Sequence, residues 1–136
     1  MSRRRGREFA MQMLFQQEQG GGEAKEVEKL FWRCHRATAE ARGFAGSLFR
    51  SAVARRDEID ALIREASEHW KFERLGAVDR NVLRMAVAEY LSVETPAPVI
   101  IDEAVEIARK FGGEKSPDFV NGVLDRILTS TKRSTL

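Results

Sequence analysis

Residues 116–125, SPDFVNGVLD, combine a well-specified helix start with two residues that disfavour helices. Ser116 suits a helix N-cap, and Pro117 suits the first helical position, where a missing N–H costs no hydrogen bond. Apolar residues then recur at helical spacing, at Phe119, Val120, Val123, Leu124, Ile127 and Leu128. The pattern therefore predicts a helix that runs through Asn121 and Gly122.

Asn121 and Gly122 need a reason other than helix stability, because a glycine inside a helix costs roughly 1 kcal/mol relative to alanine. One interpretation is that Gly122 lets a neighbouring helix approach closely while Asn121 bonds a loop carbonyl. The other is that both residues belong to a binding surface. The sequence leaves both interpretations open.

The rest of the chain also shows the apolar spacing of helices, with breaks at glycine and proline. Five further helical stretches, or six if the third divides near Arg56-Asp57, are indicated at 9–14, 27–34, 44–66, 82–90 and 101–108. Asp79 is a plausible N-cap for the fourth of them. The sequence predicts an all-α fold of six or seven helices in two small packed bundles, approximately 1–68 and 69–131, with a tail at 132–136.

Length and composition favour one globular domain: the chain has 136 residues, 43% hydrophobic and 32% charged. The single cysteine, Cys34, excludes an intrachain disulfide. It shares an apolar helix face with Val27, Leu30 and Phe31, which predicts a buried thiol in a reducing compartment. No apolar run approaches the ~20 residues of a membrane span. We therefore expect a cytoplasmic protein with no membrane partner.

Catalytic and metal-binding patterns are missing from the sequence. His35 and His69 are isolated, no Cys or His cluster has metal-ligand spacing, and no serine lies in a G-x-S-x-G elbow. Residues 112–116, GGEKS, resemble a phosphate loop, but Glu114 separates the glycines from the lysine and no predicted strand precedes them. We expect neither an enzyme nor a bound metal or cofactor.

The formal net charge is only +2, yet four of the first seven residues are Arg3, Arg4, Arg5 and Arg7. A basic arm of this kind indicates a polyanionic partner. The alternative is a solvated, frayed terminus with no partner. A second basic group, formed by Arg109, Lys110 and Lys115, leads into Phe119.

Gln12 and Phe15 lie away from the predicted apolar face of the first helix, and they offer an amide and an aromatic ring to unpaired bases. The alternative is a surface glutamine and a phenylalanine in the second layer of the core. Phe119 is open to the same two interpretations: a ring that contacts unpaired bases or a ring that packs in the core. Single-stranded RNA is favoured over duplex DNA, because no short helix-turn-helix pair with an exposed basic recognition helix stands out.

Several segments together resemble the NusB family of bacterial transcription antitermination factors. They are RRRGRE (3–8), Trp70 with Arg74-Leu75, VDRNVLR (78–84), IDEAVE (101–106) and FVNGVLD (119–125). The resemblance implies a non-enzymatic protein that binds single-stranded boxA RNA together with NusE, a ribosomal small-subunit protein. In such a complex RNA polymerase reads through terminators, notably in ribosomal RNA operons.

The resemblance also implies which residues make contacts. The RNA contacts carry over to Arg3, Arg4, Arg5, Arg7, Gln12, Phe15, Lys115, Phe119 and Asn121. The NusE contacts carry over to Glu73, Asp79 and Arg80. At Phe15 many members have tyrosine, so only stacking is available here. The competing hypothesis is a helical protein-interaction scaffold or homodimer without direct RNA binding.

Overall fold

The computed structural model describes residues 2–67, 72 and 75–133. Within these residues it contains seven helices and no strand: α1 (Ser2–Gly20), α2 (Ala24–Cys34), α3 (Ala39–Ala54), α4 (Arg56–Ala66), α5 (Ala77–Ser92), α6 (Ala97–Phe111) and α7 (Ser116–Ser130). The predicted all-α class is confirmed. The stretch from 44 to 66 divides at Arg55, next to the predicted position.

Helices α1 and α5 organise the packing. Helix α1 packs most extensively against α3, and α5 contacts α1, α3, α4, α6 and α7. The predicted inner face of α5 is buried, with Val82, Leu83, Ala86, Val87 and Tyr90. One apolar cluster runs through all seven helices. The division into two bundles near residue 68 stays a prediction.

At two positions neighbouring atoms lie so close to the backbone that only glycine fits. A Cβ built on Gly6 of α1 would lie 2.9 Å from Phe44 Cδ2 and 3.1 Å from the Ala41 carbonyl oxygen, so α1 and α3 touch here. A Cβ on Gly112 would lie 2.5 Å from Ser116 Oγ. A side chain at either position would push apart elements that the fold holds in contact.

Both predicted N-caps are wrong. Helix α7 begins at Ser116 itself, and the Ser116 hydroxyl accepts a hydrogen bond from the Gly113 N–H at 3.0 Å, so it closes the preceding turn. Helix α5 begins at Ala77 after Gly76, which places Asp79 inside its first turn. There the carboxylate complements the helix dipole without capping the helix.

The predicted burial of Cys34 is also wrong. Val27 and Phe31 form the buried row of α2, and the Phe31 ring meets the Phe9 ring of α1 edge to face at 5.6 Å. Leu30 and Cys34 form the neighbouring row, which faces solvent. Helix α2 therefore buries a narrower stripe than the sequence pattern indicated.

A buried ion pair joins α1 to α5. Arg7 donates from Nε and Nη2 to the two carboxylate oxygens of Glu89 at 2.7 and 2.8 Å, and the Glu89 side chain is fully buried. The Thr95 hydroxyl donates to the same carboxylate at 2.7 Å. Arg7 Nη1 also lies 3.4 Å from Glu103 of α6. The pair thus holds α1, α5 and α6 in one arrangement.

Replacing Glu89 with alanine should lower the free energy of unfolding by about 3 kcal/mol, because the buried Arg7 would lose its bidentate partner and keep only the longer contact with Glu103. Urea denaturation followed by circular dichroism measures this change. The matched control is Glu106→Ala, which removes an exposed ion pair to Arg109 and should cost less than about 1 kcal/mol. Equal losses in the two variants would contradict a stabilising role for the buried pair.

Candidate nucleic-acid interface

Three hollows form the candidate interface: α1 lines two of them, and the starts of α5 and α7 line the third. The first, the basic hollow, has a volume of about 500 Å³ and is lined by Arg4, Arg5, Glu8 and Lys110. Lys110 Nζ lies 3.1 Å from Glu8, so the carboxylate draws the α6 cation onto α1. Three cations line this hollow against two carboxylates, Glu8 and the Arg4 partner Glu103, and the remaining positive charge suits an anionic ligand.

The second hollow, the glutamine hollow, has a volume of about 640 Å³. Its lining comes mainly from one face of α1, with contributions from α2, α5 and α6: Met11, Gln12, Phe15, Gln16, Gln19, Gly20, Phe31, His35, Val78 and Phe111. The walls are mostly apolar, and amide side chains stand among them. Such a surface suits a flat ligand with a few polar edges.

The third hollow, the Phe119 hollow, has a volume of about 680 Å³ and lies between the starts of α5 and α7. It is lined by Leu75, Gly76, Asp79, Gly113, Lys115, Ser116, Asp118 and Phe119. The Phe119 ring is half-buried and packs against the core, while Lys115 is exposed. An aromatic ring and a cation therefore share this hollow.

Neighbouring residues connect the three hollows into a row. Lys110 lines the basic hollow and Phe111 lines the glutamine hollow. Val78 lines the glutamine hollow and Asp79 lines the Phe119 hollow. The row starts with cations and ends beside an aromatic ring, as an extended nucleic-acid strand requires.

The predicted arginine arm is the beginning of α1, so the alternative of a frayed terminus is wrong. Arg3 lies over the Phe44 ring, 4.2 Å from its centroid. Arg4 makes two hydrogen bonds to Glu103, at 2.9 and 2.8 Å, and Arg5 makes one to Glu8 at 2.8 Å. The hydrogen bond from Arg4 lowers the pKa of Glu103. Arg4 and Arg5 remain about half exposed.

Arg7 differs from the other three arginines. Its side chain is only 7% exposed, and its guanidinium group is occupied by Glu89 and Glu103. A phosphate could reach Arg7 only by breaking a buried ion pair. The expectation that Arg7 contacts RNA directly therefore needs correction: Arg7 positions α1.

The structure places Gln12 and Phe15 in the wall of the glutamine hollow. Phe15 is 36% exposed, so it does not belong to the core as the alternative proposed. Gln12 Oε1 is buried and has no hydrogen-bond partner among the described residues. A buried amide oxygen without a partner carries a desolvation cost that a donor from a ligand would relieve.

Asn121 is exposed and does not line these three hollows. Among the described residues, a Cβ on Gly122 would meet only Arg126 Nη1, at 4.0 Å. Close approach of a neighbouring helix therefore does not account for Gly122 within this part of the chain. The binding-surface interpretation of both residues stays a prediction.

The residues predicted to contact the partner protein differ from one another in their surroundings. Arg80 makes two hydrogen bonds to Glu18, at 2.7 and 2.6 Å, and a third to the Leu75 carbonyl oxygen at 2.6 Å. Asp79 is partly buried, and its Oδ1 has no hydrogen-bond partner among the residues described. Glu73 lies outside the described residues. Of the two described residues, Asp79 keeps an unused polar atom.

Glu18 is the centre of a second ionic cluster, which joins the end of α1 to α4 and α5. Arg84 donates to Glu18 at 2.6 Å and makes two hydrogen bonds to Asp60 at 2.8 and 3.0 Å. Burial raises the pKa of Glu18, but hydrogen bonds and charges from Arg80 and Arg84 together outweigh it and lower this pKa to about 2. Glu18 is therefore ionised in the folded protein down to strongly acidic pH.

Sequence reasoning did not assign Gln16, Gln19, His35 and Phe111 to the site. The glutamines carried a usable signal, since Gln12, Gln16 and Gln19 recur at helical spacing on one face. The contributions of α2 and α6 depend on tertiary packing and had no such signal.

Among the described residues, no group of His, Cys, Asp or Glu could hold a metal ion, and no helix is long and apolar enough to cross a membrane.

Comparison with known proteins gives consistent matches over nearly the whole chain. The model of the NusB family matches residues 4–129. The transcription antitermination protein NusB of Koribacter versatilis is 49% identical over 128 residues, which cover 93% of this chain and 88% of that protein.

Two solved structures have the same fold. T. maritima NusB is 38% identical with a TM-score of 0.84, covering 94% of this chain and 91% of the other. A crystal structure of the antitermination factors NusB and NusE in complex with dsRNA contains a chain that is 30% identical, with a TM-score of 0.86, covering 96% of this chain and 98% of the other.

Changing Glu18 to glutamine should lower the free energy of unfolding at pH 7, because its charge-assisted bonds to Arg80 and Arg84 would be weakened. The folded-state pKa of about 2 lies below the ordinary value of 4.5. The wild type therefore loses this contribution as pH falls from about 4.5 toward about 2. The stability difference between wild type and variant should shrink over the same range.

Urea denaturation at pH 7, 4 and 2.5 measures that difference. Glu58→Gln serves as the control, since Glu58 forms an exposed pair with Arg55 within one helix turn, and it should cost less than about 1 kcal/mol at pH 7. A difference between wild type and Glu18→Gln that stays constant down to pH 2.5 would show that Glu18 is not the titrating group.

Proposed function

Because this chain belongs to the NusB family, we propose that it is a transcription antitermination factor that binds single-stranded boxA RNA together with NusE. The complex with RNA polymerase then reads through terminators, notably in ribosomal RNA operons. The protein acts by binding and not by catalysis. The observation that carries this proposal is the row of three hollows, which begins with cations and continues past aromatic rings.

Phosphate contacts supply affinity at the basic end of the row. Arg4, Arg5 and Lys110 present exposed cationic groups there. Each is paired with a carboxylate that is itself largely buried, so the pairs stay intact and a phosphate binds the exposed N–H donors that the pairs leave free. Arg3 and Lys115 add charge at the two ends of the path. Arg7 supports the surface from inside.

Base contacts supply selectivity further along the row. Phe15 and Phe119 offer ring faces on which unpaired bases stack. Gln12 offers an amide at the wall of the same path, and Asn121 adds a second one nearby on α7. These contacts need bases that are not paired with a second strand, which is why we propose a single strand although the solved NusB–NusE complex is described with dsRNA.

NusE binding fits the surface around Asp79. The unpartnered Oδ1 of Asp79 can accept a hydrogen bond from a cationic side chain of another protein. Arg80 is held by Glu18, so its contribution is to order the start of α5. The proposed NusE surface would then adjoin the Phe119 hollow, which Asp79 also lines.

Replacing Arg4 and Arg5 together with alanine should weaken binding to every RNA and flatten its salt dependence. Two phosphate contacts on a single strand contribute about 1.4 to the slope of log K against log[salt]. Fluorescence anisotropy with labelled boxA RNA between 50 and 300 mM KCl measures both effects. Arg50→Ala is the control, because Arg50 is an exposed arginine paired with Glu28 outside the row of hollows.

An unchanged slope in the double variant would contradict the role of the basic hollow. The same titrations are repeated with boxA RNA in a duplex, where tighter binding than to the single strand would contradict the proposed RNA form. No RNA affinity of the wild type, with or without NusE, would support the protein-interaction scaffold.

Replacing Phe119 with alanine should reduce the preference for boxA over a scrambled RNA of the same length by about tenfold, because a stacking surface is lost while the phosphate contacts remain. Competition anisotropy measures this ratio. Urea denaturation of the same variant reports any loss of core packing separately. Equal losses of affinity for both RNAs would mean that the ring serves only the core.

A further inference from the structure

Helix α2 forms a wall of the glutamine hollow that the proposed RNA contacts leave unused. The His35 ring is stacked on the Phe31 ring, with centroids 3.8 Å apart and planes 9° from parallel. His35 Nδ1 lies 2.9 Å from the Phe31 carbonyl oxygen. A carbonyl only accepts hydrogen bonds, so Nδ1 carries the hydrogen and the ring is fixed in one orientation.

Besides His35, three polar side chains line the hollow. Gln12, Gln16 and Gln19 all line it from α1. The buried oxygen of Gln12 lacks a hydrogen-bond partner among the described residues. A ligand that donates a hydrogen bond at this point would remove the cost of burying that oxygen.

The remaining lining indicates a flat aromatic ligand. Phe15 and Phe111 lie on the α1 and α6 sides of the same hollow, and a volume of about 640 Å³ leaves ample room for one nucleobase. Phe111 directly follows Lys110, which lines the basic hollow. A strand whose phosphates lie in the basic hollow can therefore place its next bases in the glutamine hollow.

We propose that the glutamine hollow is a base-binding pocket, in which one unpaired base bearing an exocyclic amino group contacts the His35 ring and donates to Gln12 Oε1. This inference rests on the proposed RNA binding and extends it, because it assigns specificity to Gln12 and recruits α2 to the RNA path. Uracil has no exocyclic amino group and can donate to Gln12 Oε1 only through its ring N3–H, which lies between two carbonyl oxygens that cannot donate. An apolar protein side chain would leave Gln12 without a donor.

The test uses the full-length protein and a series of boxA oligoribonucleotides, each with one abasic position. In the wild type, one abasic position should weaken binding by about tenfold, since a stacked base is lost. In His35→Ala the same abasic change should cost less than about threefold. His35→Phe keeps an aromatic surface and should restore most of the effect.

Recognition of the amino group is measured at the same position. That base is exchanged for its analogue with hydrogen in place of the amino group. The exchange should lower the RNA affinity of the wild type by about fivefold and leave the RNA affinity of Gln12→Leu unchanged. Gln17→Leu is the matched control: Gln17 lies on α1 but bonds the Gly22 carbonyl outside the hollow, so this variant should respond as the wild type does. Circular dichroism verifies that each variant is folded.

Three results would overturn the inference, and they are distinguishable. If salt-dependent RNA binding persists but every abasic position costs the same in wild type and His35→Ala, the pocket takes no base and the proposed function stands. If the variants weaken only NusE binding, the hollow receives a protein side chain. If the wild type binds no RNA with or without NusE, the proposed function fails as well.

Discussion

The buried ion pair between Arg7 and Glu89 fixes the position of α1, and the rest of the surface depends on that position. A bidentate pair tolerates little rotation of the helix, because both hydrogen bonds need the guanidinium and carboxylate planes aligned. The inner face of α1 carries Phe9, Met13 and Leu14 into the core. Its outer face is therefore held in one rotational setting, with Arg5, Gln12 and Phe15 in the walls of the hollows.

A second ionic cluster fixes the other end of the same helix. The Glu18 carboxylate forms ion pairs with Arg80 and Arg84, and Arg84 also forms an ion pair with Asp60 of α4. Helix α1 is thus anchored by ion pairs near both of its ends, and apolar packing fills the space between them. Such double anchoring supplies the rigidity that a surface needs when it presents cations, amides and rings at set spacings to a flexible strand.

Much of the fold follows from the sequence, because apolar spacing alone indicates the helices and the glycine and proline positions separate them. The inner face of α5 and the division near Arg55 were predictable in this way. The roles of charged residues were less so: Arg4 and Arg7 look alike in sequence, but only the packing of α5 puts Glu89 opposite Arg7. His35 and Phe111 enter the site through contacts between distant helices, and no local pattern encodes such contacts. The exposure of Cys34 depends likewise on how narrowly α2 is covered.

The central claim is that one strand of RNA follows the row of hollows from the start of α1 to the start of α7. An NMR titration of the isotopically labelled protein with boxA RNA tests it most directly. We expect signals of Arg5, Gln12, Phe15, His35 and Phe119 to shift together with one dissociation constant, while those of Arg50 and Glu58, which lie outside the row of hollows, stay unchanged. Shifts confined to α3 and α4, or shifts at the Phe119 end without any at the basic end, would contradict it.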